Sequence, residues 1–292
     1  MRHGSLFPKK IRLTSGITTI TLYLFVVRLS GYSRKYIRKR YHTEKYTFMG
    51  LLIFFICHWY ISLFFQSFFH HRYAAHHMYS MSRGWEKFFH ICCFLTQGSS
   101  YISASTYAMM HRLHHAHTDK EGDPHSPRFN ANVFMLMWRT RNYYYSLYKN
   151  CEGVENKYKK DLPEWEAFDR FAHNWISRVL WGAFYLLVYL QLATAWWMFL
   201  FLPLTFSMGA LQGSVVNWWA HRFGYKNFKL NNTSKNIIPL DFFFVGESYH
   251  NNHHMYPGRP NNAVRWFEFD ITFQIARLFQ WMRILRINHI PA

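Results

Sequence analysis

Acidic residues and cysteines are scarce in this chain of 292 residues. Fifteen Asp and Glu stand against 34 Lys and Arg, a formal charge of +19. Four cysteines (Cys57, Cys92, Cys93, Cys151) are too few for a disulfide scaffold, and their spacing fits no iron–sulfur site. Internal repeats and low-complexity linkers are missing. No nucleic-acid motif accompanies the positive charge, so nucleic acid is not an expected partner. Aromatics are not scarce. At 21% Phe, Trp and Tyr, and 50% apolar overall, the chain is not intrinsically disordered. Its mean hydropathy of −0.19 conceals long apolar runs diluted by Tyr, Arg and His.

The charge is concentrated. Residues 1–48 carry +10 of the +19, with Glu44 the one acid among them. This arm is expected to be disordered or to face lipid. Its apolar stretch Ile17–Val27 is too short to span a bilayer, and no small-residue cleavage site follows it. Phe48–Phe69 is 22 residues without a formal charge, the length of a transmembrane helix. His58, inside it, reads as a packed polar contact. Val179–Ala220 is uncharged over 42 residues, roughly 60 Å of helix, so it is expected to fold as a hairpin. Gln191–Thr194 would be the turn, Trp196–Trp197 an interfacial anchor, and Pro203 a kink in the second arm. Phe88–Met110 reads as a helix that dips into the interface or packs under the spans. Ala116–Ala172 balances nine acids with nine bases and reads as a water-facing excursion. Trp266, Phe269, Phe273, Ala276 and Gln280 suggest an amphipathic C-terminal helix.

The 19 histidines fall into clusters: His71 and His76; His111, His114 and His115; Asn217 and His221; His250, His253 and His254. Chance supplies one H-x-x-H-H about 0.08 times in a chain of this length and histidine content, yet the motif occurs twice. On a helix, residues i, i+3 and i+4 share a face, so each H-x-x-H-H is expected to aim three imidazoles at one point, and Asn217 and His221 likewise. His71 and His76 are about 140° apart on an α-helix and are expected to face different metals unless the helix frays. Nine imidazoles exceed the three protein ligands of a catalytic zinc and fit two ions. Imidazole suits iron and copper alike, so composition leaves the metal open. The other ten histidines, His125 and His173 among them, are taken as structural or surface, with His70 and His77 as flanking candidates.

The segments His71-Arg72-Tyr73-Ala74-Ala75-His76, His111-Arg112-Leu113-His114-His115 with Asp119 and Asp123-Pro124-His125, Asn217–His221 continuing to Gly224-Tyr225, and Gly246-Glu247-Ser248-Tyr249-His250-Asn251-Asn252-His253-His254 resemble the histidine boxes of the membrane-bound fatty-acid desaturases. Within that family the chain is most similar to the acyl-CoA (stearoyl-type) branch. The resemblance covers roughly residues 48–285. It implies an all-α integral membrane protein, a bundle of transmembrane helices whose water-facing helical head holds a diiron centre. It implies two iron ions on His71, His76, His111, His114, His115, His221, His250, His253 and His254, with Asn217 contacting one through water. Asp119, Asp123 and Glu247 are candidate carboxylates for fixing the histidine tautomers. The acyl-CoA enzymes carry an acidic residue, a tryptophan and Ala-Arg-Asp before the second box. Here Thr106-Tyr107-Ala108-Met109-Met110 stands there, so acyl-CoA and acyl-lipid both remain as substrate.

The implied reaction puts a double bond into a saturated acyl chain with dioxygen and two electrons. A diiron hydroxylase or alkane monooxygenase is the closest alternative, and a metal transporter a more distant one. No heme-binding H-P-G-G occurs, so a separate ferredoxin or cytochrome would supply electrons. One centre needs every cluster on one side of the membrane, the cytoplasmic side in this reading. With one span before the boxes, the +10 arm would then lie outside, against the usual bias of positive charge. The reading divides the chain into an arm, 1–47, and a desaturase domain, 48–292, with translation starting at Met49 rather than Ile17–Val27 completing a hairpin.

Overall fold

A computed structural model describes residues 34–288, with side chains from residue 47 onward. Ile17–Val27 and most of the basic arm lie outside the described residues. The chain divides between Gly50 and Leu51, and the first unit contributes the opening turns of helix α1 (Arg34–Phe65).

The protein is mostly helical. Helix α1 runs without a break into a π-helix, Gln66–Ala75. The stretch Thr47–Ala75 is long and apolar enough to cross a membrane, so the first histidine box sits at the end of the span itself. Helices α2 (Arg83–Gln97) and α3 (Ala104–His117) follow, each begun by a serine whose hydroxyl accepts a backbone N–H: Ser82 from Trp85, and Ser103 from Thr106. Helix α2 packs its buried face under the π-helix through Phe89, which meets Phe68 at 4.9 Å, and exposes Phe88, Ile91 and Leu95.

Helix α4 (Val133–Lys149) differs from the expected water-facing excursion. It exposes Phe134, Met135 and Trp138. The charge balance of the whole stretch hides a local bias, because residues 126–150 hold Arg128, Arg139, Arg141 and Lys149 and no acid. Helix α5 (Glu166–Ala172) leads to α6 (Trp175–Leu192), the second helix able to span.

The return arm is broken. A 3-10 segment, Trp196–Phe201, and helix α7 (Leu202–Phe206) meet α8 (Met208–Trp219) at 71°, a bent pair that passes as a third span only when taken together. Pro203 is not the kink. It occupies the first turn of α7, where a missing N–H costs nothing, and the break falls at Ser207, whose N–H and hydroxyl both bond the Pro203 carbonyl. The turn between the arms lies after Leu192, slightly later than expected.

Helix α9 (His250–Met255) carries the last box. Helix α10 (Ile271–Trp281) buries Thr272 and Ala276 and exposes Leu278 and Trp281, as an amphipathic helix should. The all-α expectation needs one amendment. Strands β1 (Tyr79–Met81) and β2 (Leu285–Ile287) pair antiparallel, Ser80 opposite Arg286, and fasten the C-terminal segment beside the first box.

Candidate metal centre

The nine clustered histidines gather into two buried groups that can each hold an ion. One is His71, His76, His111, His115 and His253; the other is His114, His221, His250 and His254. They lie side by side, His115 and His254 stacking at 4.5 Å.

The two H-x-x-H-H motifs do not each aim at one point. On α3 the i, i+4 pair His111 and His115 joins the first group, and His114 turns to the second. On α9 the pair His250 and His254 joins the second group, and His253 turns to the first. Residues i+3 and i+4 differ by about 100° around a helix, enough to send their imidazoles to adjacent sites. Each helix thus places two imidazoles in one group and one in the other.

His71 and His76 also depart from expectation, since both face the same group. The cause is the π-helix. The His76 N–H bonds the His71 carbonyl, five residues back, at 3.2 Å. The wider turn brings residues five apart onto one side, with their rings 5.0 Å apart.

The atoms that converge are Nε2. In the first group, His71–His253 is 3.0 Å, His111–His76 2.9 Å, His115–His111 3.0 Å and His253–His115 2.9 Å. In the second, His221–His250 and His254–His250 are 3.0 Å, and His114–His254 is 3.4 Å. Imidazoles bound to one metal at about 2.1 Å stand about 3.0–3.4 Å apart, so this spacing fits an ion in each group.

Carboxylates lie near the outer nitrogens of three of these rings. Asp123 Oδ1 lies 2.9 Å from His114 Nδ1. Glu247 Oε2 lies 2.7 Å from His71 Nδ1, close but not aligned as a hydrogen bond. Asp119 acts on His221 at 3.6 Å and through Thr233, whose hydroxyl accepts from His221 Nδ1 at 3.0 Å and donates to Asp119 Oδ2 at 2.7 Å. A proton held on Nδ1 leaves Nε2 as a bare lone pair. Such lone pairs about 3 Å apart repel one another unless a cation lies between them.

Burial, and then the neighbouring imidazoles, push His76, His111, His115, His250, His253 and His254 well below the ordinary imidazole pKa. Burial does the same at His114. They therefore stay neutral, the form that binds metal. Burial alone would raise the Glu247 carboxyl, but His71, Arg72 and Ser67 hold it at about 2. Burial likewise opposes ionisation of Asp119, and bonds from His221 and Ser126 overcome it. Asp123 is raised by burial.

Three further supports are structural findings. Arg72, fully buried, joins Glu247 (3.5 Å) to Asp270 (2.8 Å), and so ties the first box to the third and to the cap of α10. Gly246, at φ +101°, is required there, because a Cβ would collide with Asp270 and with the Arg72 guanidinium. Arg112 bonds the carbonyls of Ala74, Ala75, Tyr158 and Lys160 and touches His77 Nε2 at 2.7 Å, which anchors the end of the π-helix to α3. The places of the two arginines inside H-R-Y and H-R-L-H-H are the signal that sequence offers for them.

The remaining histidines divide. His58 meets the Tyr185 hydroxyl at 3.3 Å, a packed polar contact. His70 bonds Ile102 and Gln97. His173 stacks on Tyr148 at 4.1 Å. His125 lies with His114 and Asp123 in a third group that could hold a metal, its ring 4.2 Å from that of His114 and tilted against it. Asn217 lines a cavity of about 480 Å³ that also touches Tyr107 and Met110 of α3 and Trp138 and Arg141 of α4.

The fatty acid desaturase family model matches residues 20–278. Delta-9 acyl-lipid desaturase 2 of Arabidopsis thaliana is 31% identical over 225 residues, covering 76% of this chain and 69% of the relative. Delta-9 acyl-lipid desaturase 1 of the same plant is 29% identical over 230 residues, covering 76% and 70%. The sn-2 palmitoyl-lipid 9-desaturase of Nostoc sp. (strain 36) is 30% identical over 186 residues, covering 60% of each chain. The chain belongs to the fatty acid desaturase family. It is a membrane fatty-acyl desaturase, an oxidoreductase acting on acyl chains, in a family that implies iron.

Proposed function

We propose that this desaturase works with two irons, the first held by His71, His76, His111, His115 and His253, the second by His114, His221, His250 and His254, with Asn217 reaching the second through water. The observation that carries the reading is the convergence of nine Nε2 atoms in two groups of metal-binding spacing. Bound iron supplies the activation of dioxygen that an unactivated methylene demands. The protein supplies the rest. Asp123, Glu247 and the Thr233–Asp119 pair keep the protons on Nδ1. Burial keeps water and competing chemistry away from the site. The cavity beside Asn217, walled mainly by apolar groups, holds the acyl chain in one register against the centre.

Acyl-lipid is the carrier this reading favours, and carbon 9 the position. The names of the relatives support both, and Thr106–Met110 lacks the polar residues of the acyl-CoA branch. Electrons come from a separate ferredoxin or cytochrome, and the histidine face is cytoplasmic. Expression in a desaturase-deficient host, with gas chromatography of its lipids and mass analysis of intact lipid classes, tests this. A Δ9 product first appearing on membrane lipid supports it. Product appearing first on acyl-CoA, or a hydroxylated product, contradicts it.

A further inference from the structure

The cavity has two kinds of wall. At α4 it meets exposed Trp138 and Arg141. Within the broken span it meets Phe206 of α7 and one face of α8, namely Gly209, Ala210, Gly213, Ser214 and Asn217. That face is made of small side chains. A Cβ on Gly213 would have nothing within 4 Å. At Gly209 a Cβ would meet the Ser100 hydroxyl at 3.1 Å and Gln66 Nε2 at 3.5 Å, and the Gly209 N–H already bonds that hydroxyl at 3.0 Å. The cavity wall along α8 therefore has room for a side chain at Gly213 and little at Gly209.

We infer that α8 is the gauge for the methyl arm of the acyl chain, with Gly213 the position that admits it and Phe206 a component of the floor that stops it. The inference rests on the proposed ligands, because the arm is measured from Asn217, four residues before His221. A charged or polar head belongs with water and Arg141, which leaves the apolar arm for the span side. Gly213 lies about 6 Å and Gly209 about 12 Å along the helix from Asn217. A chain of single bonds advances about 1.2 Å per atom, so the groove from Asn217 to the floor takes about nine or ten carbons. A side chain at Gly213 would halve that.

Gly213 sits inside a helix, so leucine there is compatible with the backbone. The test uses full-length protein with three variants: Gly213→Leu, Gly213→Ala and Phe206→Ala. Iron content and thermal stability identify a variant that fails to fold. Products in a desaturase-deficient host are read by chain length and by double-bond position. Purified proteins are also assayed for binding of dodecanoic, tetradecanoic, hexadecanoic, octadecanoic and eicosanoic acids by native mass spectrometry. Gly213→Leu should lower use and binding of octadecanoic relative to dodecanoic chains by about tenfold or more, with Gly213→Ala between it and the parent. Phe206→Ala should shift the preference toward eicosanoic chains. The double bond should stay at the same carbon counted from the head in every case. Unchanged chain-length preference in folded Gly213→Leu and Phe206→Ala proteins overturns the gauge. If Gly213→Leu does not fold, Gly213→Ala and Phe206→Ala decide alone. Length-graded binding without any unsaturated product, the parent included, retains the gauge and counts against the proposed chemistry.

Discussion

Replacing Glu247 with glutamine tests how the carboxylates serve the metal site. Glu247 is buried, lies 2.7 Å from His71 Nδ1 and takes a hydrogen bond from Ser67. His71, Arg72 and Ser67 hold its pKa at about 2, so it is ionised near neutral pH. Glutamine keeps the shape and one acceptor oxygen but removes the charge. Asp270 still neutralises Arg72 at 2.8 Å, so the buried guanidinium is not left alone and the fold should survive. What weakens is the hold on the His71 proton and the basicity of His71 Nε2. Losing such an outer partner typically costs about 10–100-fold in metal affinity, or about 1.4–2.7 kcal/mol. Glu247→Ala, which also removes the acceptor, should cost more. Iron retention against a graded chelator, with desaturation measured on the same samples, gives the number. A Glu247→Gln protein that keeps iron as tightly as the parent would refute the argument. So would loss of thermal stability before any metal is removed.

Other outcomes follow from the same geometry. His253→Ala should abolish activity and remove metal from the five-histidine group while insertion, judged by extraction from membranes, is unchanged, because His253 lies outside the spans. His173→Ala should leave metal content alone yet lower stability by roughly 1–3 kcal/mol, since the ring is buried against Tyr148, which thermal unfolding would register. Arg112→Gln should cost about 1.5–3 kcal/mol or more and loosen the end of the π-helix, visible as faster amide exchange around Ala75. Metal-free protein should lose stability as pH falls below the ordinary imidazole value of about 6.5. Its buried histidines have lowered pKa values, so below that pH the unfolded chain takes up protons the folded one refuses. A melting temperature flat from neutral pH to about 5 would contradict this.

Histidine spacing makes the clusters legible, because identity at i, i+3 and i+4 survives any detail of packing. The apolar run at 48–69 and the uncharged length at 179–220 mark the spans for the same reason: both follow from chain length and hydration alone. What spacing cannot give is the partition of the histidines between the two groups. That depends on the rotation of α3 against α9, which is tertiary. The pairing of His71 with His76 needs a π-helix, and no propensity rule marks one. Pro203 misleads because proline breaks a helix only from its interior, and here it begins one. His125 escapes a sequence reading because Asp-Pro-His is no ligand motif by itself; the fold alone brings it against His114. The exposed face of α4 is hidden when charge is averaged over too long a window.

Metal analysis of the protein purified from an iron-replete host bears most directly on the account. Quantified iron per chain, with Mössbauer spectra of the iron-57-labelled protein, should give about two irons in two distinguishable nitrogen-rich environments, since the two groups offer five and four imidazoles. Fully active protein holding one iron per chain, or one tightly bound zinc with activity indifferent to iron, would contradict it.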